Sequence, residues 1–334
     1  MVLATFAAGL LLTPALTAGN EQGQISRTVW VNATLPGLFS KGLVAKGQID
    51  LRGNNVQTDS FDSSDPAYST NGRYDPAKKK DKGDVATNSS LTNSLSVGNA
   101  KIIGKVSTGP EGVVGIGPNG TVGSLAWHVS GNKGIEPGWS SDDMDVEFPD
   151  VQAPFSSAPQ PVGGTVNGVT YDYIITSGNW KISSQTLKGK VLVTGEATVL
   201  VTSEIAFTGQ DFLKIQPNAS LKLYMAGEKT RLGGQGVLNE SGKAENFYYF
   251  GLPANTSLSL SGNASFTGAL YAPQATFTLG GGGNNTYDFV GAAVANTIKL
   301  NGHFNFHYDE NLAKVGPSRG YVITAWHEAY PRLP

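Results

Sequence analysis

The sequence predicts an all-β chain: a right-handed parallel β-helix, or solenoid, interrupted by irregular loop insertions. Three observations predict it. Glycine occurs 43 times in 334 residues, a share that suits tight turns and is costly inside helices. Short runs alternate apolar and polar positions, then break at once on Gly-Asn, Asn-Gly or Pro-Asn steps. Leu260, Leu279 and Leu300 recur at intervals of 19 and 21 residues. A spacing near 20 suits one coil of a three-faced solenoid, whose coils bury their apolar residues only by stacking. A β-sandwich is the competing architecture, since it too is built of short strands and glycine turns.

In chain order, residues 1–19 hold the uncharged run Val2–Ala18. It is short for a membrane span and right for the apolar core of an export signal. It lacks a basic start, and Pro14 would kink a helix there. An export signal or anchor, a truncated apolar segment and a buried element are the three readings. Residues 20–36 read as a linker with one candidate strand. Residues 37–130 read as N-terminal β-rich coils with Leu43, Ile49 and Leu51 inward. A polar insertion near 55–90 interrupts them, with two Asp-Pro turns and the run Lys78, Lys79 and Lys80, expected as a solvated face. Residues 131–169, rich in Pro and acid, read as a connecting loop. Residues 170–334 read as C-terminal β-helix coils and a closing strand, with the first half expected in the same solenoid.

Composition narrows the function classes. A net charge of −2 with 15% charged residues gives no field that would draw nucleic acid. The absence of cysteine excludes disulfides, thiolate metal sites and a cysteine nucleophile.

The candidate chemistry is sparse. In HFNFH, His303, Asn305, His307 and Asp309 would share one strand face opposite Phe304, Phe306 and Tyr308. Two imidazoles four residues apart on a strand lie roughly 13 Å apart, so His303 and His307 would hold a metal only across a bulge. An exposed face opposite packed aromatics is the plainer expectation. Asp142, Asp143 and Asp145, with Glu147 and Asp150 beyond, offer oxygen ligands for calcium. The fixed calcium-loop spacing is missing, so a solvated turn is expected. Tyr248, Tyr249 and Phe250 could stack on a sugar or a partner, or cover the side of the solenoid. GPSRG around Ser318 matches a nucleophile elbow in letters only, because a strand-like run follows it where a helix is needed. Asp211 and Asp288 sit near turns rather than in a repeated column. No catalytic residue is assigned and no cofactor is expected, calcium being the one candidate.

One block carries a resemblance. The ordered phrases are Tyr271-Ala-Pro273, Val290-Gly291-Ala-Ala-Val-Ala-Asn296, Leu300-Asn301-Gly302, His307-Tyr308-Asp309-Glu310 and Trp326-His-Glu328. They resemble an uncharacterised β-helical domain of bacterial cell-envelope proteins, often attached to pilin-like N-terminal segments of pilus-assembly proteins. The resemblance covers most of the chain from about Leu38. It implies a structural role for those residues and an exported, envelope, surface or extracellular setting. Other envelope or surface proteins, or polysaccharide, are the expected partners, and the N-terminal segment would contact membrane. A non-catalytic structural or adhesive protein is the expectation. A polysaccharide lyase or hydrolase on the same scaffold and a glycan- or ice-binding module are the alternatives.

Overall fold

A strand with one apolar face needs a neighbour on which to lay it, because successive side chains point to opposite sides. This chain meets that need by parallel stacking. The computed structural model describes residues 28–34, 37–52, 56–183, 186–262, 265–281, 286–301, 303–318 and 322–329. The described chain is all-β, with short helical turns at Leu125–Val129, Leu312–Val315, Pro76–Lys78 and Ala244–Asn246. Its strands fall into sheets of 21, five and two strands. Among the described residues no helix is long and apolar enough to cross a membrane. The apolar run Val2–Ala18 and Gly302 lie outside the described residues.

The 21-stranded sheet is a stack of parallel pairings. One inward column runs through Val199, Leu223, Tyr249, Leu270, Ala293, Leu43, Val85 and Val106. All eight are buried in one apolar core. The 19- and 21-residue series is itself a column, with Leu260 beside Leu279 and Leu279 beside Leu300. On a third side Phe266, Phe289 and Phe306 stack ring on ring, with centroids 4.6 and 4.5 Å apart. Burying such a ring is worth about 1.5–3 kcal/mol.

The order along the stack is not the order along the chain. Strand Leu43–Ala45 lies on Tyr287–Leu300 of the second half, through Leu43 and Ala293. Ile49 then lies on Ile298, and Gln57–Phe61 lies on Phe304–Asp309. The first half therefore continues the stack where the second half ends.

Two boundaries differ from the sequence reading, whereas the candidate strand within 20–36 is present as Thr28–Thr34 and pairs antiparallel with Val322–Ala329. The closing strand is thus paired outside the stack. The polar insertion near 55–90 contributes Gln57–Phe61 and Val85–Thr87 to the stack, because Phe61 and Val85 supply the core contacts that its polar neighbours hide. The loop over 131–169 contributes Gly134–Ile135 and Ser140–Ser141 to the stack, and Val162–Val166 to the five-stranded sheet.

Several residues of the family-like phrases lie at corners and in ladder bonds. Gly291 adopts φ +138°, and a side chain there would overlap the Gly268 carbonyl oxygen, so only glycine fits. Pro273 stands in the irregularity between Ala272 and Thr276, where the ladder needs no proline N–H. Asn296 O accepts from Gly47 N at 2.7 Å, and Asn301 N donates to Leu279 O at 2.9 Å. Trp326 and Glu328 stand opposite Val31 and Val29 in the two-stranded sheet.

Candidate functional site: the polar face across the junction

Where the two halves meet, the outward positions of neighbouring strands fall into register. Asp288 lies beside Asn305, Asn305 beside Gln57, Gln57 beside Lys101, and Lys101 beside Thr121. This polar column crosses from the second half into the first. The inward residues one step along, Phe289, Phe306, Ile102 and Val122, are core. Two residues further on, Val290, His307 and Asp59 form a second outward row.

His307 is the centre of that row. Its Nδ1 donates to Asp59 Oδ1 at 2.5 Å, and its Nε2 lies 3.4 Å from Asp288 Oδ1 without hydrogen-bond alignment. Tyr74 lies flat on the imidazole at 3.6 Å between ring centroids and donates its hydroxyl to Asp59 Oδ2 at 2.9 Å. Asn305 Nδ2 donates to the far carboxylate, Asp288 Oδ1, at 3.1 Å. Burial pulls the His307 pKa down, but the facing carboxylates Asp288 and Asp59 outweigh it and hold the imidazole above its ordinary value. The imidazole in turn lowers the Asp288 carboxyl, against its burial. Burial and the Asp59 charge push the Tyr74 phenol up, so it stays a donor. The arrangement favours an imidazolium clamped between two carboxylates. It is an ion-pair tie rather than a neutral base.

A second cluster continues it. Glu310 accepts from Ser60 Oγ at 3.0 Å, Lys80 Nζ at 2.7 Å and Lys82 Nζ at 3.1 Å. Asp309 Oδ1 accepts from the Ser63 and Asn311 amides, its Oδ2 has no partner, and burial raises its pKa. Tyr308 donates its hydroxyl to Phe39 O at 2.7 Å. The loop that lids this face is pinned by Arg73, whose guanidinium donates to Ser241 O and Glu240 O at 3.0 Å each.

Two expectations are corrected here. His307 is 2% exposed, not part of an open face, because the loop carrying Tyr74 closes over it. Asp288 stands in a repeated column, not merely near a turn. His303 lies apart from this clamp, one residue before strand Phe304–Asp309. Asp142, Asp143 and Asp145 lie on another segment and are exposed, Asp143 and Asp145 flanking the buried Met144. Among the described residues no three His, Asp or Glu side chains are grouped to hold a metal ion.

The acidic run has a different use. In Asp143–Phe148, Met144, Val146 and Phe148 face the stack while Asp143, Asp145 and Glu147 face out. This period of two makes it a strap over an aromatic outer face. Beneath and beside it stand Tyr224, Phe250 and Tyr271 in register. Tyr224 stacks on Phe250 at 4.8 Å, Tyr248 on Phe250 at 6.0 Å, and Tyr271 donates its hydroxyl to Pro149 O at 2.8 Å. Tyr248 and Phe250 are thus covered on the outside, and burial pushes the Tyr248 phenol up to about 12. Tyr249 points the other way, into the core, where its hydroxyl meets Thr230 at 2.7 Å and Asn255 at 2.8 Å. The three sequence candidates do not form one ligand surface.

Asp59 and Tyr74 were not legible as site residues. The one available signal is the flanking of QTDS by Val56 and Phe61, which marks a strand that must dispose of a carboxylate.

Residues 156–315 match a domain of unknown function, DUF7305. That stretch holds His307 and Asp288, while Asp59 and Tyr74 fall before it. No curated protein matches the chain. Among solved structures, the competence-associated pilin ComZ from Thermus thermophilus is similar at 10% identity and a TM-score of 0.27, over 92% of this chain and 79% of that one. An ice binding protein from an Antarctic bacterium, Flavobacteriaceae, is similar at 10% identity and a TM-score of 0.20, over 80% and 81%.

Proposed function

We propose that the chain is a non-catalytic, exported structural or adhesive protein of the bacterial cell envelope, working in a pilus- or secretion-type assembly. We read its strand stack as a right-handed parallel β-helix. Sterics support that hand, since crossovers between parallel strands of one sheet are right-handed in about 98% of cases.

The observation that carries the functional reading is the junction. A working acid or base needs a proton it can exchange with a substrate. His307 is instead locked between Asp59 and Asp288 under Tyr74, and Glu310 is taken up by Ser60, Lys80 and Lys82. The reactive groups are spent on fastening one half to the other. A rigid, out-of-order stack suits a protein that works by its shape and surface. Its partners would be other envelope or surface proteins, or polysaccharide, and Val2–Ala18 would meet the membrane during export.

Fractionation of bacteria expressing the full chain tests the setting. Recovery in envelope or extracellular fractions is expected, and an intact chain confined to the cytosol would sink the export reading. Polysaccharide turnover that His307→Gln abolishes in a still-folded protein would sink the non-catalytic one.

A further inference from the structure

The polar column ends in a cleft that the junction does not use. It has a volume of about 310 Å³ and is lined on its polar side by Gln57, Lys79, Lys101, Thr121, His128 and Lys133. The strands bring these residues together from distant parts of the sequence. Lys101 opens strand Lys101–Ile103, Thr121 opens the neighbouring Thr121–Gly123, and Lys133 precedes Gly134, which pairs with Thr121. Lys79 comes from the lid loop, just after Pro76–Lys78.

Charge marks the cleft as a ligand site. Lys80 and Lys82, beside Lys79, are held by Glu310, whereas among the described residues Lys79, Lys101 and Lys133 have no carboxylate partner. Three ammoniums facing one concave space repel each other unless an anion joins them.

The rest of the lining narrows the ligand. Gln57 and Asn132 offer neutral amides, and Leu125 and Val129 offer an apolar edge. Val129 is 87% exposed. His128 Nε2 is engaged with Ile102 O at 2.9 Å, and burial, with Lys101 and Lys79 nearby, holds its pKa down. A ligand matched to this set carries one anionic group, several hydroxyls and a ring face. The space is far larger than an inorganic anion and suits a sugar ring with part of its neighbour.

We propose that this cleft binds a uronate unit of an acidic polysaccharide, its carboxylate among Lys79, Lys101 and Lys133 and its hydroxyls beside Gln57 and Asn132. The site goes beyond the structural role proposed above and does not depend on it. A purely structural protein leaves these lysines idle; this one uses them to hold an acidic glycan.

Calorimetry with the full chain and digalacturonate tests the site, with the dimethyl ester of the same sugar and inorganic phosphate as controls. Saturable binding of digalacturonate, weakened by salt and lost with the uncharged ester, is expected. Lys101→Gln and Lys133→Gln are each expected to lower affinity about tenfold, the size of one charged hydrogen bond, with an unchanged melting temperature. Equal affinity for phosphate would overturn the sugar assignment. Equal binding by the ester, or none by digalacturonate, would overturn the site. Salt-sensitive self-association abolished by Lys101→Gln, without uronate binding, would also overturn it and identify the exposed Asp143, Asp145 and Glu147 of a second copy as the occupant.

Discussion

On the side where Tyr224, Phe250 and Tyr271 stand in register, the stack is dry beneath a strap, and a cleft of about 680 Å³ opens beside it. On the side where Asp288, Asn305, Gln57, Lys101 and Thr121 stand in register, it carries ions and ends in an open cleft. The backbone ladders beneath the two faces are alike, since parallel strands bond through main-chain groups whatever their side chains. The difference lies in what covers each face. An alternating strap whose apolar residues point inward keeps aromatics dry. A loop that brings Tyr74 over His307 buries charges, and such burial is tolerated only when they are paired. One face is therefore held by area and the other by partners.

The comparison breaks most sharply at Asp59. Asp59→Ala leaves His307 buried without its nearest carboxylate and Tyr74 without its acceptor. A loss of about 4 kcal/mol is expected, as for one partner removed from a buried ion pair. Urea unfolding measures it. A loss under about 1 kcal/mol would mean that the tie contributes little to joining the halves. On the dry face the comparable change is Phe250→Ala, which removes a ring packed against Tyr224 and Tyr248. About 3 kcal/mol is expected, from lost transfer energy and the cavity left behind. The two losses should differ in kind: salt and pH should alter the first and leave the second unchanged.

Much of the inner core and of the dry face was legible in the sequence, and little of the polar face. The Leu260, Leu279 and Leu300 series marked neighbouring strands because a column of core residues must repeat at the length of one layer. The covering role of Tyr248 and Phe250 followed from aromatics beside a strand, although Tyr249 turned inward by simple alternation. The strap was missed because acid at every second position of 143–148 masks the apolar residues between. The junction was missed for a deeper reason. His307 and Asp59 are 248 residues apart, and nothing in local pattern says that Leu43 will lie on Ala293. Periodicity reports which face of a strand is apolar; it does not report which strand comes next in a stack that departs from chain order.

The smallest expected effect separates the two faces most cleanly, because only one of them titrates. His307 has its folded pKa raised above the unfolded value of about 6.5. Its contribution is therefore fully present below that value and is lost as pH rises through the folded pKa. Asp288 has its pKa lowered, so its contribution is present above the ordinary carboxylate range and is lost as pH falls. The tie then has a window, bounded by the carboxylate on the acid side and by the imidazole on the alkaline side. Asp59, Asp288, Tyr74 and Asn305 are the groups that face the ring, and Tyr74 stays neutral throughout. Melting curves of the native chain and of His307→Gln, taken from pH 5 to pH 9, isolate the imidazole from every other group. The native advantage should shrink as pH rises past the raised histidine value, while Phe250→Ala should follow the native pH profile at a constant offset. A native advantage that grows with pH would mean that the imidazole is held neutral, and that the polar face joins the halves by shape, as the dry face does.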